Sequence, residues 1–172
     1  FGLVIAGKFK AIDGVEKIWD FHTQDMTYAK KAGKIGFIDL KGNWAIEPKF
    51  DKARSFSKNL APVCVGSKWG YINTKGTMVI EPQFKDAEIF SAEGLAPIKD
   101  KNWGFINESG KIVIPTQYGI TAGGVFAMFK DEQKGFINGV ARVKSGSQWG
   151  FLKPDGTTLG KQWYDNAEPF SK

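Results

Sequence analysis

The sequence predicts an all-β protein of tandem units of roughly 34 residues, each a three-stranded antiparallel meander. The units are expected to stack in an open, twisted β-repeat array, with a propeller-like ring as the alternative. Three observations predict this class. Glycine-anchored apolar runs return at a nearly constant period, 21 glycines and 7 prolines punctuate 172 residues, and 42% of the chain is apolar with 14% aromatic. The last figure supplies enough buried surface to exclude a disordered chain.

The period is set by a Trp-Gly pair. It occurs in Lys68-Trp69-Gly70-Tyr71-Ile72-Asn73, in Asn102-Trp103-Gly104-Phe105-Ile106-Asn107 and in Gln148-Trp149-Gly150-Phe151-Leu152. A further copy, Lys34-Ile35-Gly36-Phe37-Ile38-Asp39, has Ile in place of Trp. The anchors Gly36, Gly70, Gly104 and Gly150 are 34, 34 and 46 residues apart. Other positions lock to them. Gly42, Gly76, Gly110 and Gly156 follow six residues later. Ile46, Ile80 and Ile114 follow ten residues later, where Gly160 breaks the pattern. Phe50, Phe84, Tyr118 and Tyr164 come at fourteen, and Phe56, Phe90 and Phe170 at twenty.

These registers divide the chain into units 34–67, 68–101, 102–147 and a partial unit 148–172. The long third spacing places a 12-residue insertion near 122–135. Residues 1–33 fit a degenerate first unit, with Ile5, Phe9 and Phe21 in the corresponding roles and a short insertion between the last two. Phe1 is not a translation start, so the expectation is a processed N-terminus or a longer chain.

Within a unit, runs such as Leu95-Ala96-Pro97-Ile98, Trp103-Gly104-Phe105-Ile106 and Lys111-Ile112-Val113-Ile114 have the length and β-branched or aromatic content of strands. Asn107-Glu108-Ser109-Gly110 is a tight turn whose glycine can take positive φ. Proline cannot donate to a ladder, so Pro48, Pro82 and Pro115 are expected to stop the third strand. A glycine beside each Trp predicts close backbone approach, such as that of a neighbouring unit's ring. The segment Phe50–Phe56 is expected to staple one sheet to the next. A lone three-stranded sheet is marginal in water, so stacking must supply the core.

The string Trp-Gly-Phe-Ile, a turn glycine, Val-Ile-x-Pro, then aromatic-Asp-x-Ala-x-x-Phe-Ser-x-Gly-Leu-Ala resembles the bacterial WG-repeat family. The match runs over residues 34 to 172 and weakly over the first 30. The resemblance implies a bacterial β-rich array that binds partners, in the envelope or in the cytoplasm. It carries no catalytic motif. The chain departs from the pattern at Ile35, at Gly160 and at the two insertions.

Searching for chemistry returns little. His22 and Cys64 are each the sole residue of their type and lie far apart in sequence. Cys64 sits in an apolar strand and reads as a core residue. One His and one Cys give no zinc spacing, and no cofactor or metal is expected. Acids such as Glu47, Glu81, Asp51 and Asp86 recur by repeat position, as turn or solvated residues do. Gly119–Gly124 lacks the Lys-Ser/Thr of a phosphate loop. The net charge of +6 comes from scattered Lys with only two Arg, a pattern that protects strand edges rather than one that clusters on nucleic acid. No apolar stretch approaches the ~20 residues of a membrane helix.

The expectation is therefore a non-enzymatic interaction or scaffold module that binds another protein or joins a larger assembly. Carbohydrate binding through exposed aromatics is the alternative. Trp69, Trp103 and Trp149, with Gly70, Gly104 and Gly150, are expected in structural repeat positions, as are Gly42, Gly76, Gly110 and Gly156. Trp163 stands where sister units carry Lys49, Gln83 and Gln117, so its ring is expected at the surface as a partner contact. Phe126, Met128 and Phe129 in the insertion are the other candidates.

Overall fold

The computed structural model describes residues 1–21, 25–119 and 134–167. It divides into two compact units, Phe1–Gln83 and Phe84–Lys172. Every strand pair is antiparallel, and among the described residues there is no α-helix and no sheet closed on itself.

The first unit opens with a hairpin of β1 (Gly2–Ile5) and β2 (Lys8–Ala11). A four-stranded sheet follows, ordered β3 (Val15–Ile18), β4 (Met26–Lys31), β5 (Lys34–Asp39) and β6 (Trp44–Phe50). A second has the same plan: β7 (Lys52–Ala53), β8 (Leu60–Val65), β9 (Lys68–Asn73) and β10 (Met78–Phe84). Phe37, Ile46, Phe50 and Phe56 pack with Ala61, Val63 and Ile72 into one cluster, so the two sheets share a core. The second unit holds β11 (Asp86–Ala87), β12 (Leu95–Lys99), β13 (Trp103–Asn107) and β14 (Ile112–Tyr118) in one sheet. Its other sheet contains β15 (Phe136–Ile137), β16 (Val140–Ser145) and β17 (Gln148–Leu152). Phe105, Ile114 and Leu95 meet Phe136, Val143 and Leu152 in its core.

The expected three-stranded meander is present, and a short additional strand makes the larger sheets four-stranded. The extra strand comes from the stapling segment. Lys52 and Ala53 pair with Cys64 and Val63, and Asp86 and Ala87 with Lys99 and Ile98. The short strand leads to Phe56 or Phe90, both almost fully buried.

Proline does not stop the third strand, contrary to expectation. Strands β6, β10 and β14 run through Pro48, Pro82 and Pro115. The register shifts on either side of Phe37, and likewise at Phe105, so the third strand bulges there and needs no donor from that stretch. The anchor glycine makes room for the bulge. A Cβ on Gly36 would stand 2.4 Å from the Ile46 carbonyl oxygen and 2.7 Å from the Pro48 nitrogen. Gly70 and Gly104 meet the carbonyls of Ile80 and Ile114 in the same way. The close approach is therefore the unit's own third strand, not a neighbour's ring.

The β5–β6, β9–β10 and β13–β14 turns share one construction. Gly42, Gly76 and Gly110 have φ of 75°, 77° and 81°, a region closed to β-branched residues at low cost. In each turn one side-chain oxygen accepts two backbone N–H groups. Asp39 takes those of Lys41 and Asn43, Asn73 those of Lys75 and Thr77, and Asn107 those of Ser109 and Lys111. Gly76 in turn lies against the Ile46 side chain of the preceding sheet, and Gly156 against Ile114.

The degenerate first unit has a different register from the expected one. Phe9 is 67% exposed, while Val15 is buried. Val15 precedes Phe21 by the same six residues that separate Phe50 from Phe56, so no insertion is needed between them. A β-branched residue in place of an aromatic concealed this alignment.

Candidate functional site

The side chains with most recognition chemistry lie in the row that contains the WG tryptophans. Trp69 lies opposite Cys64, which pairs with Lys52; Trp103 lies between Lys99 and Tyr118; Trp149 lies between Lys144 and Tyr164. Trp69 and Trp103 are 7% and 6% exposed, and Trp149 is half-buried. Cations cover them. The Arg54 guanidinium is 4.5 Å from the Trp69 centroid, Lys134 Nζ 5.0 Å from that of Trp103, and Arg142 4.7 Å from that of Trp149. These faces are occupied, which matters because a sugar platform needs an open one.

The sheet with Ile35 keeps the pairing by moving the ring. Trp19 backs onto Tyr28 just as Arg54 backs onto Pro62, each donating its backbone N–H to the partner's carbonyl. Trp19 stacks on Tyr28 with centroids 4.6 Å apart, and Lys17 Nζ lies 4.5 Å from the Trp19 centroid. Trp19 packs on the cluster that contains Ile35. One structural position, just beyond the short first strand, thus carries Trp19, Arg54 and Glu88 in successive sheets. All three are half-buried. Sequence reasoning passed over this position because nothing recurs there, and variability against a constant frame was its only signal.

Glu88 is joined to Lys134 at 2.9 Å, and Glu93 accepts the Gly139 N–H at 2.6 Å. Both contacts tie Lys134 and Gly139, at and just after the end of the insertion, back to the preceding β11–β12 segment. Asp51 does similar work in the first unit, accepting Lys34 Nζ and the Gly66 N–H. Those bonds hold its carboxyl below the usual carboxylate range, with Lys34 the larger cause. Cys64 is buried, and its thiol donates to the Gly66 carbonyl oxygen at 3.5 Å. Among the described residues no three metal-ligating side chains converge. No helix among them is long and apolar enough to cross a membrane.

Trp163 is not at the surface as expected. It is half-buried against the second unit's core and parallel to Tyr118, with centroids 6.3 Å apart. Its ring lies over Gly150, where a Cβ would come within 2.8 Å of it. The expectation assumed the sister units' backbone, and Gly160 changes that backbone. Its neighbour Tyr164 is 40% exposed. Phe126, Met128, Phe129 and His22 lie outside the described residues.

No curated protein sequence matches the chain. Among solved structures, it is similar to Hsv2 of Kluyveromyces lactis with loop 6CD replaced by a Gly-Ser linker, at 12% identity and a TM-score of 0.58. That alignment covers 88% of this chain and 54% of the other. It is also similar to Hsv2 of Kluyveromyces marxianus, at 13% identity and a TM-score of 0.56, over 88% of this chain and 50% of that one. The chain spans about half the length of these structures, and at such identities the likeness is one of fold. The WG containing repeat model matches three consecutive stretches, 35–69, 69–102 and 103–119. They begin at Ile35 or at a WG tryptophan, and each contains the anchor glycine, the turn glycine and the third strand described above. The chain belongs to the WG-repeat family.

Proposed function

We propose that this chain is a non-catalytic interaction module that binds another protein or joins a larger assembly. The observation that carries the reading is the division of labour among repeat positions. The anchor glycines and the row of Phe56 and Phe90 are the same in successive sheets and buried, so they serve packing. The half-buried position of Trp19, Arg54 and Glu88 carries an aromatic, a cation and an acid in three successive sheets. A repeat scaffold recognises a partner through such positions, because they can vary without disturbing the frame. The capped, buried rings of Trp69 and Trp103 weigh against a glycan platform. Trp163, Phe126, Met128 and Phe129 remain the proposed contact residues, since aromatic and Met side chains are enriched at protein interfaces.

The test is capture followed by titration. The intact chain is immobilised, captured proteins are identified, and affinity is measured for variants Arg54→Ala, Glu88→Ala and Phe126→Ala/Phe129→Ala. A defined protein bound tightly by the native chain and at least ~10-fold more weakly by one or more variants supports the reading. Retardation in polysaccharide gels with no protein captured would overturn it in favour of glycan binding.

A further inference from the structure

The sheet of Trp149 retains its anchor glycine without the bulge that the glycine accommodates elsewhere. Leu152 bridges Thr158 as Ile38 bridges Trp44, and Trp149 bridges Tyr164 as Ile35 bridges Phe50. The two end bridges are therefore equivalent, and Thr158 to Tyr164 spans the same length as the seven-residue strand Trp44–Phe50. Only the middle differs. Phe37 pairs with Ile46, but Gly160 lies in a 3-10 turn formed by Leu159–Lys161. Gly160 and Lys161 have φ of 69° and 56°. Over Gly150 lies the ring of Trp163, where the other three sheets place third-strand backbone.

The sequence explains the departure. Ile46, Ile80 and Ile114 are buried and anchor the centre of their strands. Gly160 has no side chain to bury. Gln162 stands where Pro48 and Pro82 hold the preceding residue in extended conformations. The segment is thus freed from the sheet, and the ring fills the gap. Two terms oppose each other. Packing of the ring on Tyr118 favours the observed arrangement, and a lysine in the left-handed region works against it.

We propose that Leu159–Trp163 is a latch with two backbone states. In the observed state Trp163 is turned in over Gly150. In the other, the segment runs as a regular third strand, Gly160 faces Phe151, and Trp163 is turned out where Lys49, Gln83 and Gln117 stand exposed. The turned-out state would give the fourth WG sheet an aromatic contact that no sister sheet has. The latch is a property of the chain alone. Its test involves no partner, so it stands or falls separately from the interaction reading.

The experiment is tryptophan oxidation footprinting of the full chain, resolved by peptide mass. Variant Gly160→Ile/Gln162→Pro restores the Ile-x-Pro pattern of Ile46 and Pro48. Trp163 is expected to oxidise about tenfold faster than in the native chain, while Trp69 and Trp103 stay protected. Trp163 remaining as protected as in the native chain, with the other two also protected, overturns the proposal. If the double variant exposes all three rings, Gly160→Ile alone decides by the same comparison, because it restores the buried residue at the strand centre and leaves Gly150 free to accept third-strand backbone. Amide exchange in the native chain is the last arm. Lys161–Trp163 should exchange at least about tenfold faster than Val143 and Leu152, and equal protection overturns the proposal.

Discussion

Substituting the anchor glycines by alanine separates two environments that look alike in sequence. In Gly70→Ala the new methyl carbon would stand 2.3 Å from the Ile80 carbonyl oxygen, 2.9 Å from the Glu81 carbonyl carbon and 2.8 Å from the Pro82 nitrogen. All three are backbone atoms of β10, so relief requires the strand itself to retreat by about 1 Å, an overpacking strain of ~1–3 kcal/mol. The displaced strand also loses one or two ladder hydrogen bonds at ~1 kcal/mol each, which brings the expected cost to about 3 kcal/mol. In Gly150→Ala the obstructing atoms are ring carbons of the half-buried Trp163. That ring can turn outward, and the cost is the packing of half a ring, about 1 kcal/mol. Calorimetry suits the comparison because the two sites lie in different compact units. For units of this size ~1 kcal/mol moves a transition by about 4–8 °C. The Gly70→Ala transition should therefore fall by more than about 10 °C and the Gly150→Ala transition by roughly 5 °C. Equal shifts, or a neutral Gly70→Ala, would refute the bulge-over-glycine register.

Three further outcomes follow from the turns and the cation contacts. Gly76→Val, at φ of 77° and with Ile46 only 3.0 Å from its Cβ position, should cost more than ~1 kcal/mol in denaturant midpoint. Asp39 has its carboxyl held below the usual range, chiefly by the Asn43 backbone N–H. Its stabilisation is present above the unfolded carboxylate pKa and lost as pH falls through the lower folded value. Asp39→Asn copies Asn73 and Asn107, so it should keep the fold while the thermal midpoint falls less steeply on acidification; an unchanged acid limb would contradict this. Arg54→Ala removes the cation from Trp69 and should lower stability by ~0.5–1 kcal/mol in chemical denaturation, with Trp69 fluorescence red-shifted.

Sequence disclosed what is local and repeated. The turn glycines, the buried Ile46, Ile80 and Ile114, and the WG strands each follow from a requirement met within a few residues. The short first strands were not legible, because Lys52-Ala53 and Asp86-Ala87 are too brief to show alternation and form only when β8 or β12 lies beside them. Pro48 and Pro82 misled because the rule against strand proline assumes an unbulged ladder. Trp163 misled for a related reason. Aligning it with Lys49 was correct by count, but one missing side chain at Gly160 rerouted the backbone that the alignment took for granted. The Trp19 exchange with Ile35 was hidden because it moves a ring between two strands rather than along one.

The short first strand has a further consequence. A sequence unit starts at its Trp-Gly strand, whereas a sheet starts at Lys52 or Asp86, so the two frames are out of phase by about half a unit. Each repeat boundary therefore falls inside a sheet, between Ser67 and Lys68 for example, and joins β8 to β9. Neighbouring repeats overlap like roof tiles, and none can leave without stripping strands from the next. A fragment ended at Ser67 would carry β7 and β8 as an unsupported ribbon, which is marginal in water. One ended just after Phe50 would keep its sheets whole. Duplication or excision of WG units is accordingly expected to be tolerated at the junction of third and first strands, and punished at the Trp-Gly motif that defines the repeat.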